Sequence, residues 1–184
     1  GGETPWPAGG EAPVRYYKDA TTPPIMLPLK RKDIRVPSSA FPPIYAEWAN
    51  VYVLQGGIEW GSINNFGQLP KQSPYPVYLL SPGSGDLKTI NTPYAKWITG
   101  SMQYHYAKPG LILASFAAKA GGVGNSGLYR ADEKGYQKII SGFPKAVSIS
   151  PDGCRLAAGL QYTDKRGYNG PIELKVIDLC KGAN

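Results

Sequence analysis

From Tyr45 onward, short apolar runs alternate with polar segments rich in turn residues, the spacing of strands and tight turns. Three stretches share one pattern: Glu47–Gly56 (EWANVYVLQG), Ala107–Phe116 (AKPGLILASF) and Ser150–Gly159 (SPDGCRLAAG). In each, a turn closed by Asn50, Gly110 or Gly153, residue types that tolerate positive φ, leads into a short apolar strand. The strand before the turn alternates in the second and third copies, at Met102, Tyr104 and Tyr106 and at Val147 and Ile149. After a polar loop a second apolar run follows each copy: Pro76–Leu80, Gly127–Ala131 and Ile172–Ile177. The first two lead through turns at 81–86 and 132–135 into Leu87–Ile90 and Tyr136–Ile140.

The repeated unit is strand, tight turn, strand, loop, strand, turn, strand, recurring every roughly 40 to 60 residues, as in propellers. The expected fold is therefore all-β: a partial β-propeller of about three four-stranded antiparallel blades, near 44–92, 97–142 and 143–184. The third blade stops near Cys180, before its fourth strand. Propellers close with about four to eight blades, each shielding its neighbours' faces. Three blades in an arc are expected to leave two apolar faces open. The expected partners are the remaining blades of a longer chain, or another copy or subunit completing the ring.

Residues 1–43 read as an extended arm. Pro5, Pro7, Pro13, Pro23, Pro24, Pro28, Pro37, Pro42 and Pro43 remove backbone donors and oppose both helix and central strand. Trp6, Tyr16, Tyr17, Ile25, Met26, Leu27 and Leu29 are too many apolar side chains for a spacer. The arm is expected to pack on its own domain or on a partner.

Val147–Ala158 (VSISPDGCRLAA), followed by Leu174–Asp178 (LKVID), resembles a blade of the TolB-like and WD-repeat-related propellers, clearest over 146–180. The resemblance implies that Ser-Pro-Asp-Gly joins the first two strands and that the run ending in Asp178 is the third. It implies a scaffold whose loops bind proteins, peptides or glycans, and no particular reaction.

Composition agrees with this picture. Hydrophobic residues at 42% and charged residues at 18% allow a core, and 23 Gly, 18 Pro and 13 Tyr favour strands and turns. No apolar run of about 20 residues is present, so no membrane-spanning helix is expected. The net charge of +7 is dispersed except at Lys30, Arg31, Lys32 and Arg35, with Asp33 among them. Without an RNP-like motif or zinc-finger spacing, that cluster reads as a solvated basic arm, and nucleic acid is not an expected partner.

Two cysteines are present, Cys154 and Cys180. A hairpin that sets residue 163 opposite residue 171 also sets Cys154 opposite Cys180. A disulfide is expected from that register, with two buried thiols as the alternative. A disulfide implies an oxidising compartment, so a periplasmic or extracellular location is expected, after removal of a signal peptide. With two cysteines and one histidine, no metal site and no cofactor are expected.

Catalytic patterns are sparse, and no catalytic residue is assigned. His105, the single histidine, alternates with Tyr104 and Tyr106 and reads as a hydrogen-bonded strand residue. Gly121–Gly127 lacks the following helix and Lys-Ser/Thr pair of a phosphate loop, and reads as an inter-strand loop. Asp152 and Asp178 are expected to close turns with their side chains. The binding candidates are Trp60, Asn64, Asn65 and Phe66, in a long insertion at 56–70 that offers stacking and amide hydrogen bonds to a sugar or peptide. The expected function is a non-catalytic propeller scaffold holding a peptide or glycan through its arm and loops. The alternative is a piece of a propeller enzyme (polysaccharide-cleaving, quinone-dependent or peptidase-associated) whose catalytic groups lie elsewhere.

Overall fold

The two-residue alternation places the chain in antiparallel strands joined by turns, and among the described residues there is no α-helix. The computed structural model describes residues 12–30, 33–34, 43–56, 75–95, 97, 101–116, 123–162 and 170–181. A two-stranded ribbon comes first, β1 (Pro13–Tyr16) with β2 (Ile25–Lys30). Sheet 1 holds β3 (Ile44–Ala46), β4 (Val51–Gln55), β5 (Tyr75–Leu80) and β6 (Leu87–Thr92) in sequential order. Sheet 2 repeats that order with β7 (Ser101–Ala107), β8 (Gly110–Phe116), β9 (Gly127–Asp132) and β10 (Gly135–Ser141). Sheet 3 has β11 (Phe143–Ile149), β12 (Arg155–Gln161) and β13 (Ile172–Asp178), three strands in the same sense. The structure is thus all-β, built of four separate antiparallel sheets, none of them closed on itself.

The turn between the first two strands is the repeated device. Asn50 at φ 47, Gly110 at φ 143 and Gly153 at φ 77 all take positive φ, as the three sequence copies predict. In the third turn the Gly153 N–H donates to Ser150 O at 2.9 Å, and Asp152 Oδ1 accepts from the Cys154 N–H at 3.0 Å. Its carboxyl is held below the usual range, first by the Ser150 hydroxyl and then by that N–H. These are the local bonds expected of Asp152.

The sheets stack in chain order through alternating faces. Val53, Val77 and Leu79 of sheet 1 meet Met102, Tyr104, Leu111 and Leu113 of sheet 2. The opposite face of sheet 2, with Ile112, Ala114 and Leu128, meets Leu156, Ala158 and Leu160 of sheet 3. Period two makes this possible, because each middle strand carries two apolar faces. Polar contacts join sheets 1 and 2 as well. Gln55 Nε2 donates to Met102 O at 2.8 Å while Gln55 Oε1 accepts from the Tyr104 N–H at 3.2 Å. Thr92 Oγ1 donates to Tyr75 O and shares a 2.8 Å hydrogen bond with the buried Tyr104 hydroxyl.

The expectation of two open apolar faces needs correcting. Leu27 and Leu29 of the ribbon pack on Tyr78 and Leu80, covering the outer face of sheet 1. The Tyr16 hydroxyl donates to Pro82 O, tying the ribbon to the turn before β6. The arm thus packs on its own sheet over these residues. Its prolines fit because both strands of a ribbon are edges, where a missing N–H costs no ladder bond. Of the three larger sheets, sheet 3 is left with an outer face without a described layer: Ile172, Leu174 and Val176 are 61%, 76% and 67% exposed.

The cysteines are joined, Cys154 to Cys180, with Cα atoms 5.1 Å apart. The pairing agrees with expectation, but the register does not. Arg155 faces Asp178 and Leu156 faces Ile177, so Cys154 lies level with Leu179, whose N–H donates to Cys154 O at 2.7 Å. Cys180 reaches back because Asp178 Oδ1 accepts the N–H groups of both Cys180 and Lys181 at 3.0 Å, curling the chain just past β13.

Candidate functional site

The first strands of sheets 1 to 3 lie side by side, β7 between β3 and β11, and a cavity of about 230 Å³ opens between them. Ile44 and Tyr45 come from β3, Gln103, His105 and Tyr106 from β7, and Val147, Ser148 and Ile149 from β11. Short apolar first strands with interspersed polar residues give this lining: aliphatic walls carrying an amide, an imidazole, a hydroxyl and two phenols.

The turns that follow those strands pack on one another. Trp48 stacks on Tyr106 with ring centroids 4.8 Å apart, and its Nε1 donates to Tyr106 O at 2.8 Å. The same indole abuts the third turn, where a Cβ on Gly153 would come within 2.6 Å of Trp48 Cδ1. The Lys108 N–H of the second turn donates to Gly153 O at 2.8 Å. All three turns therefore meet around Trp48.

His105 is 3% exposed and its Nε2 lies 3.0 Å from Gln103 Oε1. An amide oxygen only accepts, so Nε2 carries the proton and Nδ1 is left as an acceptor. Burial pushes the imidazole down to about 4, so it is uncharged at neutral pH. The cavity wall is thus polar but uncharged, suited to hydroxyl and amide groups rather than to ions.

Tyr45 of the lining faces Tyr52 across the β3–β4 pair, with ring centroids 4.9 Å apart and 46% and 36% exposure. The Tyr45 hydroxyl donates to Asn50 Oδ1 at 2.7 Å, which fixes the ring. Sequence reasoning passed over this aromatic pair. The available signal was a tyrosine on each side of the turn closed by Asn50, set opposite each other by the hairpin.

The binding candidates Trp60, Asn64, Asn65 and Phe66 lie outside the described residues, as do Arg31, Lys32 and Arg35 of the basic cluster. Within that cluster Lys30 donates its N–H to Asp33 Oδ2 at 2.9 Å. Of the glycine-rich loop, Val123–Asn125 form a single 3-10 turn leading into β9, a strand and not a helix. Among the described residues no group of three or more His, Cys, Asp or Glu is placed to hold a metal.

Compared with known proteins, the chain matches no family model, no curated protein and no solved structure.

Proposed function

We propose that this chain is a non-catalytic binding scaffold of the β-propeller type, its three larger sheets being successive blades of the TolB-like or WD-repeat-related kind. The observation that carries this reading is the convergence of β3, β7 and β11 on one cavity while the sheets stack in chain order. Innermost strands around an axis and blades packed face to face are what a propeller requires. The uncovered face of sheet 3 supports a ring completed by further blades or by another subunit. The disulfide supports an oxidising location, the periplasm or the cell exterior.

The ligand of this reading is a peptide or an uncharged glycan. Its ring or side chain stacks on Tyr45 and Tyr52, and a hydroxyl or amide enters the cavity toward Gln103, His105 and Ser148. The insertion carrying Trp60, Asn64, Asn65 and Phe66 supplies further stacking and amide contacts in the same reading. Glycan and peptide arrays probed with the full chain, followed by calorimetry on the best probe, test it. The Tyr45→Ala/Tyr52→Ala variant is expected to weaken binding at least about tenfold, since stacked aromatics dominate such contacts. Unchanged affinity in that variant, or no binding on either array, sinks the ligand assignment.

A further inference from the structure

We infer that the cavity between β3, β7 and β11 is an acetamido pocket: it takes the N-acetyl group of an uncharged amino sugar, with His105 and Gln103 reading the amide. These two residues are two apart on β7, so their side chains leave the same face of the strand, the face that carries Ala107 toward sheet 3. Both line the cavity. The 3.0 Å hydrogen bond between them takes up the His105 Nε2–H and Gln103 Oε1. An acceptor is left at His105 Nδ1 and a donor at Gln103 Nε2, and neither makes a further hydrogen bond among the described residues. His105 is 3% exposed, so an acceptor held there without a partner costs free energy that a donor on a ligand would restore.

The lining then narrows the ligand. Burial keeps the imidazole uncharged at neutral pH, and the described lining residues include no Asp, Glu, Lys or Arg. Ammonium and carboxylate groups are disfavoured in such a place. Acceptor and donor belong to different side chains, so the best match donates from one atom and accepts at another. A secondary amide does this, its N–H donating to His105 Nδ1 and its C=O accepting from Gln103 Nε2, whereas a hydroxyl must do both through one oxygen. Ile44, Val147 and Ile149 offer aliphatic surface to a methyl on the carbonyl carbon, and Tyr45 offers a ring to the apolar face of a pyranose. At about 230 Å³ the cavity is smaller than the roughly 300–1,000 Å³ that encloses a drug-sized ligand, so it admits one substituent and leaves the rest of the ligand outside. An acetamido sugar combines the amide, the methyl, the ring face and the lack of charge. An unmodified peptide supplies the amide without the methyl.

This inference rests on the binding reading above and narrows its ligand to one group. Calorimetry of the full chain with tri-N-acetylchitotriose and with cellotriose tests it, because the trimers differ only in acetamido against hydroxyl at the second carbon of each ring. The acetylated trimer is expected to bind at least about tenfold more tightly, and saturation-transfer NMR to mark its acetamido methyls most strongly. Neither readout needs a variant. In His105→Phe, which keeps a ring and removes the acceptor, the gap between the trimers is expected to narrow to under about threefold, with circular dichroism checking the fold. Gln103→Leu is expected to do the same by removing the donor. Equal affinity for the two trimers overturns the inference and leaves the binding reading standing, as does a peptide that binds where neither trimer does. Preference for an Nε-acetyl-lysine peptide over the acetylated trimer overturns the sugar assignment. A gap that survives both substitutions overturns the roles of His105 and Gln103, and no binding by any probe sinks the inference together with the reading beneath it.

Discussion

Replacing Gly153 with alanine tests the meeting of the three turns directly. Two costs are separable. The backbone at φ 77 disfavours any side chain, by roughly 1–3 kcal/mol. The new Cβ also falls 2.6 Å from both Cδ1 and Cγ of Trp48, about 1 Å inside ordinary carbon contact. The indole cannot swing aside cheaply, because Nε1 is bonded to Tyr106 O and the ring is stacked on Tyr106. Overpacking of that kind adds about 2 kcal/mol. Gly110→Ala is the internal control: its φ of 143 carries backbone strain, but a Cβ there meets nothing within 4 Å. Urea unfolding of the oxidised protein is therefore expected to show Gly153→Ala costing about 2 kcal/mol more than Gly110→Ala. In a Trp48→Ala background that excess vanishes, a coupling of about 2 kcal/mol in a double-mutant cycle. Equal losses for the two glycines, or additivity within about 0.5 kcal/mol, refute the claim that the first and third turns share Trp48.

Two further outcomes follow from groups in the same part of the molecule. Removing the disulfide by Cys154→Ser/Cys180→Ser frees a loop spanning 26 residues and is expected to cost about 3 kcal/mol, read as a lower urea midpoint; under about 1 kcal/mol contradicts it. His105, held at about 4 against an ordinary 6.5, resists a proton that the unfolded chain accepts. Stability is full above pH 6.5, falls by about 3 kcal/mol as pH drops toward 4, and changes no further from this group below that. Urea midpoints of wild type and His105→Gln across pH 4–7 isolate the effect, and parallel profiles would refute it.

Much of the strand pattern was legible because two signals coincide at each turn: an apolar alternation and a residue that tolerates positive φ. Asn50, Gly110 and Gly153 each mark a hairpin, and all three are observed there. What the sequence hid is what depends on neighbours. The ribbon was obscured by its prolines, which argue against strands everywhere except on edges, and the covered face of sheet 1 went with it. The β12–β13 register differs by one residue from the one the cysteine positions predict, because Asp178 turns the chain before Cys180. The Tyr45–Tyr52 pair and the cavity beside it were invisible for a different reason. Residues from β3, β7 and β11 line that cavity, far apart in sequence and joined only by the stacking of sheets.

The stacking also has a direction, which explains where the covalent link sits. The inner edge of β7 would present unpaired backbone groups at Met102, Tyr104 and Tyr106. Side chains from the preceding sheet satisfy three of them: Gln55 bonds Met102 O and the Tyr104 N–H, and Trp48 bonds Tyr106 O. Each such bond contributes about 1 kcal/mol and, more importantly, avoids the larger cost of an orphaned buried group. Sheet 2 is thus held on both faces and along its inner edge, and sheet 1 has the ribbon behind it. Sheet 3 has a described layer on one face only, and its last strand bears three largely exposed aliphatic side chains. Local opening starts where packing is thinnest, which among the three larger sheets is the β12–β13 hairpin. Cys154–Cys180 closes the end of that hairpin just beyond the strand pair, so β13 cannot leave β12 entirely while the disulfide is intact. Reduction should therefore loosen sheet 3 before it affects the ribbon or sheet 1.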